Sequence, residues 1–106
     1  MNKMRDRQEG FEKKFAMDEE SKFKAMARRN KLFGLWAADK LGKTGADADD
    51  YAKEVVLADF EEAGDNDVFR KVRADFDAAG VAQSDQQIRG VMDELLATAV
   101  DQIKSA

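Results

Sequence analysis

The chain has 106 residues, a net charge of −4, and no cysteine, histidine or proline. Without cysteine there are no disulfides and no thiolate metal sites. Without histidine the usual general base and the usual zinc ligand are both missing, and the three serines and two threonines have no histidine to activate them. No run approaches the roughly 20 apolar residues that span a bilayer, and the charged N-terminus is not a secretory leader. The reading is therefore a single small non-catalytic domain, with no catalytic residues, no metal site and no membrane span. A reducing, cytoplasmic setting suits the lack of cysteine.

The charge is unevenly spread. Met1–Lys31 holds ten basic and six acidic residues, net +4, whereas Leu32–Ala106 holds eight basic and sixteen acidic, net −8. A basic leading segment joined to an acidic body marks an interaction tail. The acidic body repels phosphate backbones, which argues against nucleic acid as a partner.

The first 19 residues are dense in charge, and their larger apolar groups are Met1, Met4, Phe11, Phe15 and Met17. Too little apolar surface is present to offset an ordering cost of about 1–2 kcal/mol per residue. Phe11 and Phe15 nevertheless stand one helical turn apart. Residues 1–19 are therefore read as a flexible arm that becomes helical when a partner covers the two phenylalanines. Arg5, Arg7, Glu9, Glu12, Asp18 and Glu19 are the charged neighbours that set register on that partner.

Residues 20–106 read as four helices, an all-α, compact four-helix bundle. The first helix carries Phe23, Met26, Phe33, Trp36 and Leu41, and Arg28, Arg29 and Lys31 form a basic cluster within it. Gly42 then suits a left-handed C-terminal cap. Thr44 opens T-G-A-D, so its hydroxyl is expected to cap the second helix while Asp47 reaches back. That helix carries Tyr51, Ala52, Val55, Val56 and Phe60, and Gly64 closes it. Asp65 and Asn66 start the third helix, with Val68, Phe69, Val72, Phe76 and Ala79 on its stripe, and Gly80 ends it. Ser84 opens S-D-Q-Q, a capping box with Gln87. The last helix spaces Ile88, Val91, Met92, Leu95, Ala99 and Ile103 by threes and fours.

Two short motifs invite a sharper reading. "GKT" at 42–44 ends like a phosphate-binding P-loop, but Ala37 stands where the first glycine of G-x-x-x-x-G-K-[ST] belongs, and a helix precedes it instead of a strand. The pattern is read as a helix stop followed by a helix start. Lys43, with Arg28 and Arg29, remains a candidate contact for an anion such as ATP or ADP; no obligate cofactor is expected. Asp47, Asp49 and Asp50 resemble a calcium run but have Ala52 where an EF-hand loop needs glycine. They suit the positive end of a helix dipole instead.

Four stretches carry a family resemblance: "FEKKFAMDEE" at 11–20, "ARRNKLFGLWAADKLGKTG" at 27–45, "DFEEAGDNDVFRKV" at 59–72 and, more loosely, "MDELLATA" at 92–99. Together they resemble the zeta subunit of the alphaproteobacterial F-type ATP synthase. The resemblance implies a four-helix inhibitor of ATP hydrolysis that sits at the catalytic head of the inner-membrane enzyme, on its cytoplasmic side. Its N-terminal segment, here the stretch with Phe11 and Phe15, would insert at a catalytic interface between the alpha and beta subunits near gamma and block rotation in the hydrolytic direction. A nucleotide-sensing or assembly role in the same complex is the alternative.

Overall fold

The computed structural model describes residues 18–59 and 66–105. They form four helices, α1 (Glu19–Lys40), α2 (Gly45–Ala58), α3 (Asn66–Ala79) and α4 (Asp85–Ser105), and no strand occurs among the described residues. The readings that rest on Phe11, Phe15, Phe60, Gly64 and Asp65 lie outside the described residues.

The helix ends are set by local chemistry. Asp18 is the N-cap of α1: its backbone is extended at φ −70°, ψ 173°, and its carboxylate accepts from the Ser21 amide at 2.7 Å. At the other end Gly42 has φ 78°. The Lys43 amide donates to the Ala38 carbonyl at 2.9 Å and the Gly42 amide to that of Asp39 at 3.1 Å. These two bonds make a Schellman stop, which requires a residue without a Cβ at the left-handed position. The same pattern recurs where α3 ends, with Gly80 at φ 71° and Val81 donating to Phe76. The capping box of α4 is reciprocal: the Ser84 amide donates to Gln87 Oε1 at 2.9 Å, and the Gln87 amide to Ser84 Oγ at 3.1 Å.

Thr44 departs from expectation. It is the N-cap of α2, but its side chain makes no capping hydrogen bond. Its carbonyl alone accepts from the Asp47 and Ala48 amides. Gly45 explains this, because its φ of +58° takes the first turn away from the helical backbone that a side-chain cap addresses.

α1 is the spine. It packs against each of the other three helices, whereas the backbones of α2 and α4 stay more than 8 Å apart, Cα to Cα. α1 and α2 cross closely at Gly34, where a Cβ would lie 2.6 Å from the Ala52 Cα. The core gathers around Phe33, Tyr51, Val55, Val72, Phe76 and Ile88. Trp36 stacks on Phe33 with ring centroids 5.8 Å apart, and tilts against Phe76 at 5.6 Å.

Two positions on the expected stripes point outward: Ala79 is exposed, and Phe23 is 61% exposed. Conversely, Arg29 and Asn30 are buried, each 1% exposed. Arg29 follows Ala25 and precedes Phe33 by one turn each, and both neighbours are buried, so the helical phase carries it inward. Its Nε donates to Asn30 Oδ1 at 2.8 Å.

Candidate partner-docking surface

Of the residues expected to meet a partner, Arg5, Arg7, Glu9, Phe11, Glu12 and Phe15 lie outside the described residues. Asp18 and Glu19 lie at the start of α1. The Ser21 amide is the main reason that the Asp18 carboxyl is held below its ordinary pKa. The Glu19 side chain is fully in solvent, 4.0 Å from Lys22 Nζ. Asp18 itself has extended backbone, so the helical backbone of α1 begins after it.

The three candidate anion contacts do not converge. Arg28 is exposed and its guanidinium donates to Gln102 Oε1 at 3.2 Å, tying α1 to the end of α4. Arg29 is interior. Lys43 sits past the far end of α1, and about 18 Å of helix separates Arg28 from Lys40. The amides of Gly42 and Lys43 already serve α1 carbonyls, so they are not free to cradle phosphate as a P-loop would.

The structure pairs Lys43 with a residue that the sequence reading did not select, Lys71. Both line a cavity of about 390 Å³ with Tyr51, Glu54 and Asp75. The two ammonium groups stand 5.9 and 5.1 Å from the centroid of the Tyr51 ring. The Tyr51 hydroxyl donates to Asp75 Oδ2 at 2.7 Å, and Lys71 Nζ lies 3.2 Å from the same oxygen. Burial, and then the bond to Asp75, hold the phenol proton well above its ordinary pKa. Two carboxylates balance two ammoniums, so a polyphosphate would meet both signs of charge here.

A different surface is suited to a helix. α1 and α2 frame a groove of about 610 Å³ lined by Lys31, Asp49, Ala52, Lys53, Val56 and Leu57. It adjoins a smaller hollow bounded by Phe23, Met26, Ala27, Asn30, Val56 and Asp59. Val56 belongs to both, so the two form one channel. Phe23 and Leu57, 61% and 65% exposed, are the large hydrophobic side chains left in solvent among the described residues, and both lie on this channel. Leu57 stands off the α2 stripe, and that is the signal that could have flagged it.

The sequence model of the family described as ATPase inhibitor subunit zeta matches residues 1–102. The chain belongs to that family. Its members are regulatory and not catalytic, and this chain is one of them. A solved relative, a solution NMR structure, is 51% identical with a TM-score of 0.70, over 78% of this chain and 94% of that one. No curated protein matches. No helix among the described residues is long and apolar enough to cross a membrane. No group of metal-ligating side chains is assembled among them either.

Proposed function

We propose that this zeta-family inhibitor stops ATP hydrolysis by the F-type ATP synthase through its N-terminal segment, with the four-helix bundle as its mount. The segment enters a catalytic interface between the alpha and beta subunits near gamma, on the cytoplasmic side of the membrane, and opposes rotation in the hydrolytic direction. The observation that carries this reading is the extent of the family match. It begins at residue 1, so Phe11 and Phe15 belong to the shared sequence and are not an appendage to it.

Two physical features support the division of labour. Asp18 is the N-cap of α1, so the helix of the mount begins only after the segment in sequence. The segment also has anchors without a core: each phenylalanine contributes about 1.5–3 kcal/mol when fully buried, less the cost of ordering the backbone around it. Its basic residues favour encounter with an acidic surface.

The test is inhibition of hydrolysis by the purified catalytic head. Changing both phenylalanines, F11A with F15A, is expected to raise the half-inhibitory concentration at least about 100-fold while the helical signal of the bundle stays unchanged. Equal inhibition by parent and double variant would remove those anchors from the mechanism.

A further inference from the structure

We infer that the α1–α2 channel is where the bundle itself docks on the enzyme, and that its occupant is a short, amphipathic, acidic helix presented by the catalytic head. This rests on the inhibitory reading for the identity of the enzyme, and adds to it the contact that the mount makes.

The occupant is chosen by length and charge. Phe23 rises from the α1 wall and Leu57 from the α2 wall, with Met26, Ala27, Ala52 and Val56 along the channel. The α1 wall from Phe23 to Lys31 is about 12 Å long, and the α2 wall from Asp49 to Asp59 about 15 Å. That length takes about eight to ten residues of helix. Apolar side chains one turn apart on such a helix cover Phe23 and Leu57, the arrangement of a helix in a groove.

Lys31 from α1 and Lys53 from α2 both line the channel, and both are exposed. Lys22, Lys24 and Lys71 each sit within 4.0 Å of a carboxylate. Among the described residues Lys31 and Lys53 have no such partner. Asp49 stands towards one end of the channel and Asp59 towards the other, so the charges along it run negative, positive, positive, negative. A carboxylate on the middle turn of the incoming helix faces both lysines. A second copy of this chain fits poorly for the same reason: two-fold pairing of the channels sets one lysine pair against the other. A stable dimer also takes about 800 Å² from each copy, several times the footprint of one short helix.

The test is affinity of the full chain for the purified catalytic head, read by titration calorimetry and not by hydrolysis. Every chain carries F11A with F15A, so the anchors of the inhibitory reading are absent; failure here leaves that reading standing, and the reverse also holds. Adding L57E is expected to weaken binding about tenfold, at low and high salt alike. Adding K31E with K53E is expected to weaken it about tenfold at low salt and far less at molar salt. Leu57, Lys31 and Lys53 are exposed, so the bundle keeps its fold and its helical signal. The chain has no cysteine, so Leu57→Cys carries a photocrosslinker at one place, and it is expected to mark a helical segment of the head rich in aspartate and glutamate. No binding by the F11A, F15A chain, an unchanged affinity in L57E, tighter binding after the charge reversal, or a crosslink to a basic segment would each overturn the proposal. So would self-association of the chain that L57E abolishes, because a second copy would then fill the channel.

Discussion

The two halves of α1 are built to different ends. From Lys31 to Lys40 the helix is core: Phe33, Ala37 and Ala38 are wholly buried, Gly34 lets α2 come into backbone contact, and Trp36 stacks between Phe33 and Phe76. From Glu19 to Asn30 it is half-covered. Its buried residues are Ala25, Arg29 and Asn30, small or polar, while its one phenylalanine points into solvent. One half has used its apolar surface to hold the fold. The other keeps apolar surface free near the start of the helix. Buried and exposed apolar surface are thus separated along a single helix, so changes at one end should read out differently from changes at the other.

The largest effect is expected at the aromatic end. Phe33→Ala or Phe76→Ala should each cost about 3–5 kcal/mol in chemical denaturation, because both side chains are fully buried and leave a cavity that the short helices cannot close. Phe23→Ala should stay within about 0.5 kcal/mol of the parent. A Phe23 variant as damaging as the Phe33 one would collapse the distinction between the halves.

Gly34→Ala comes next. Overpacking against the Ala52 backbone is expected to cost about 1–3 kcal/mol. This outweighs the roughly 1 kcal/mol that alanine gains over glycine in a helix. The transition should move down in denaturant, and a stabilised variant would show that the crossing has room.

A smaller contrast compares two helix starts. Ser84→Ala should cost about 1 kcal/mol, since it removes the hydroxyl oxygen that accepts from the Gln87 amide, while the backbone amide at 84 can still donate to Gln87. Thr44→Ala should cost close to nothing, since that hydroxyl caps no amide. Equal losses would contradict the cap assignments.

The pH response sharpens the comparison further. Tyr51 is the sole tyrosine, so tyrosinate absorbance reports on it alone. Its phenol pKa is raised in the fold, so the neutral form is the one the fold favours. That contribution is intact below the unfolded value near 10 and is lost as pH climbs above it. Tyrosinate should therefore appear together with loss of helix, not ahead of it. At the opposite end, the Asp18 carboxyl is held low, so its support for the first turn of α1 is present above about pH 4 and is lost as the pH falls through the lowered value.

What could be read from the sequence was local. The stops at Gly42 and Gly80 and the box at Ser84 and Gln87 each need only neighbouring residues, and all three are as expected. The helical class followed from the absence of proline and from spacing by threes and fours. What could not be read depended on neighbours brought from afar. Arg28, Arg29 and Lys31 look alike as letters, but the phase of α1 buries Arg29 and leaves the other two outside. Lys43 gains its partner Lys71 only because α2 and α3 fold over the end of α1. Thr44 fits a capping pattern that the left-handed Gly45 then defeats. The channel between Phe23 and Leu57 needed the helix pairing before it could be seen.

The most direct test of the account is ATP hydrolysis by the purified catalytic head, with either the full chain or one beginning at Asp18 added in excess. The account predicts that the full chain inhibits and that the shortened one does not, while retaining the helical signal and melting behaviour of the bundle. Inhibition by the shortened chain at similar concentrations would place the inhibitory surface on the bundle and contradict the division between anchor segment and mount.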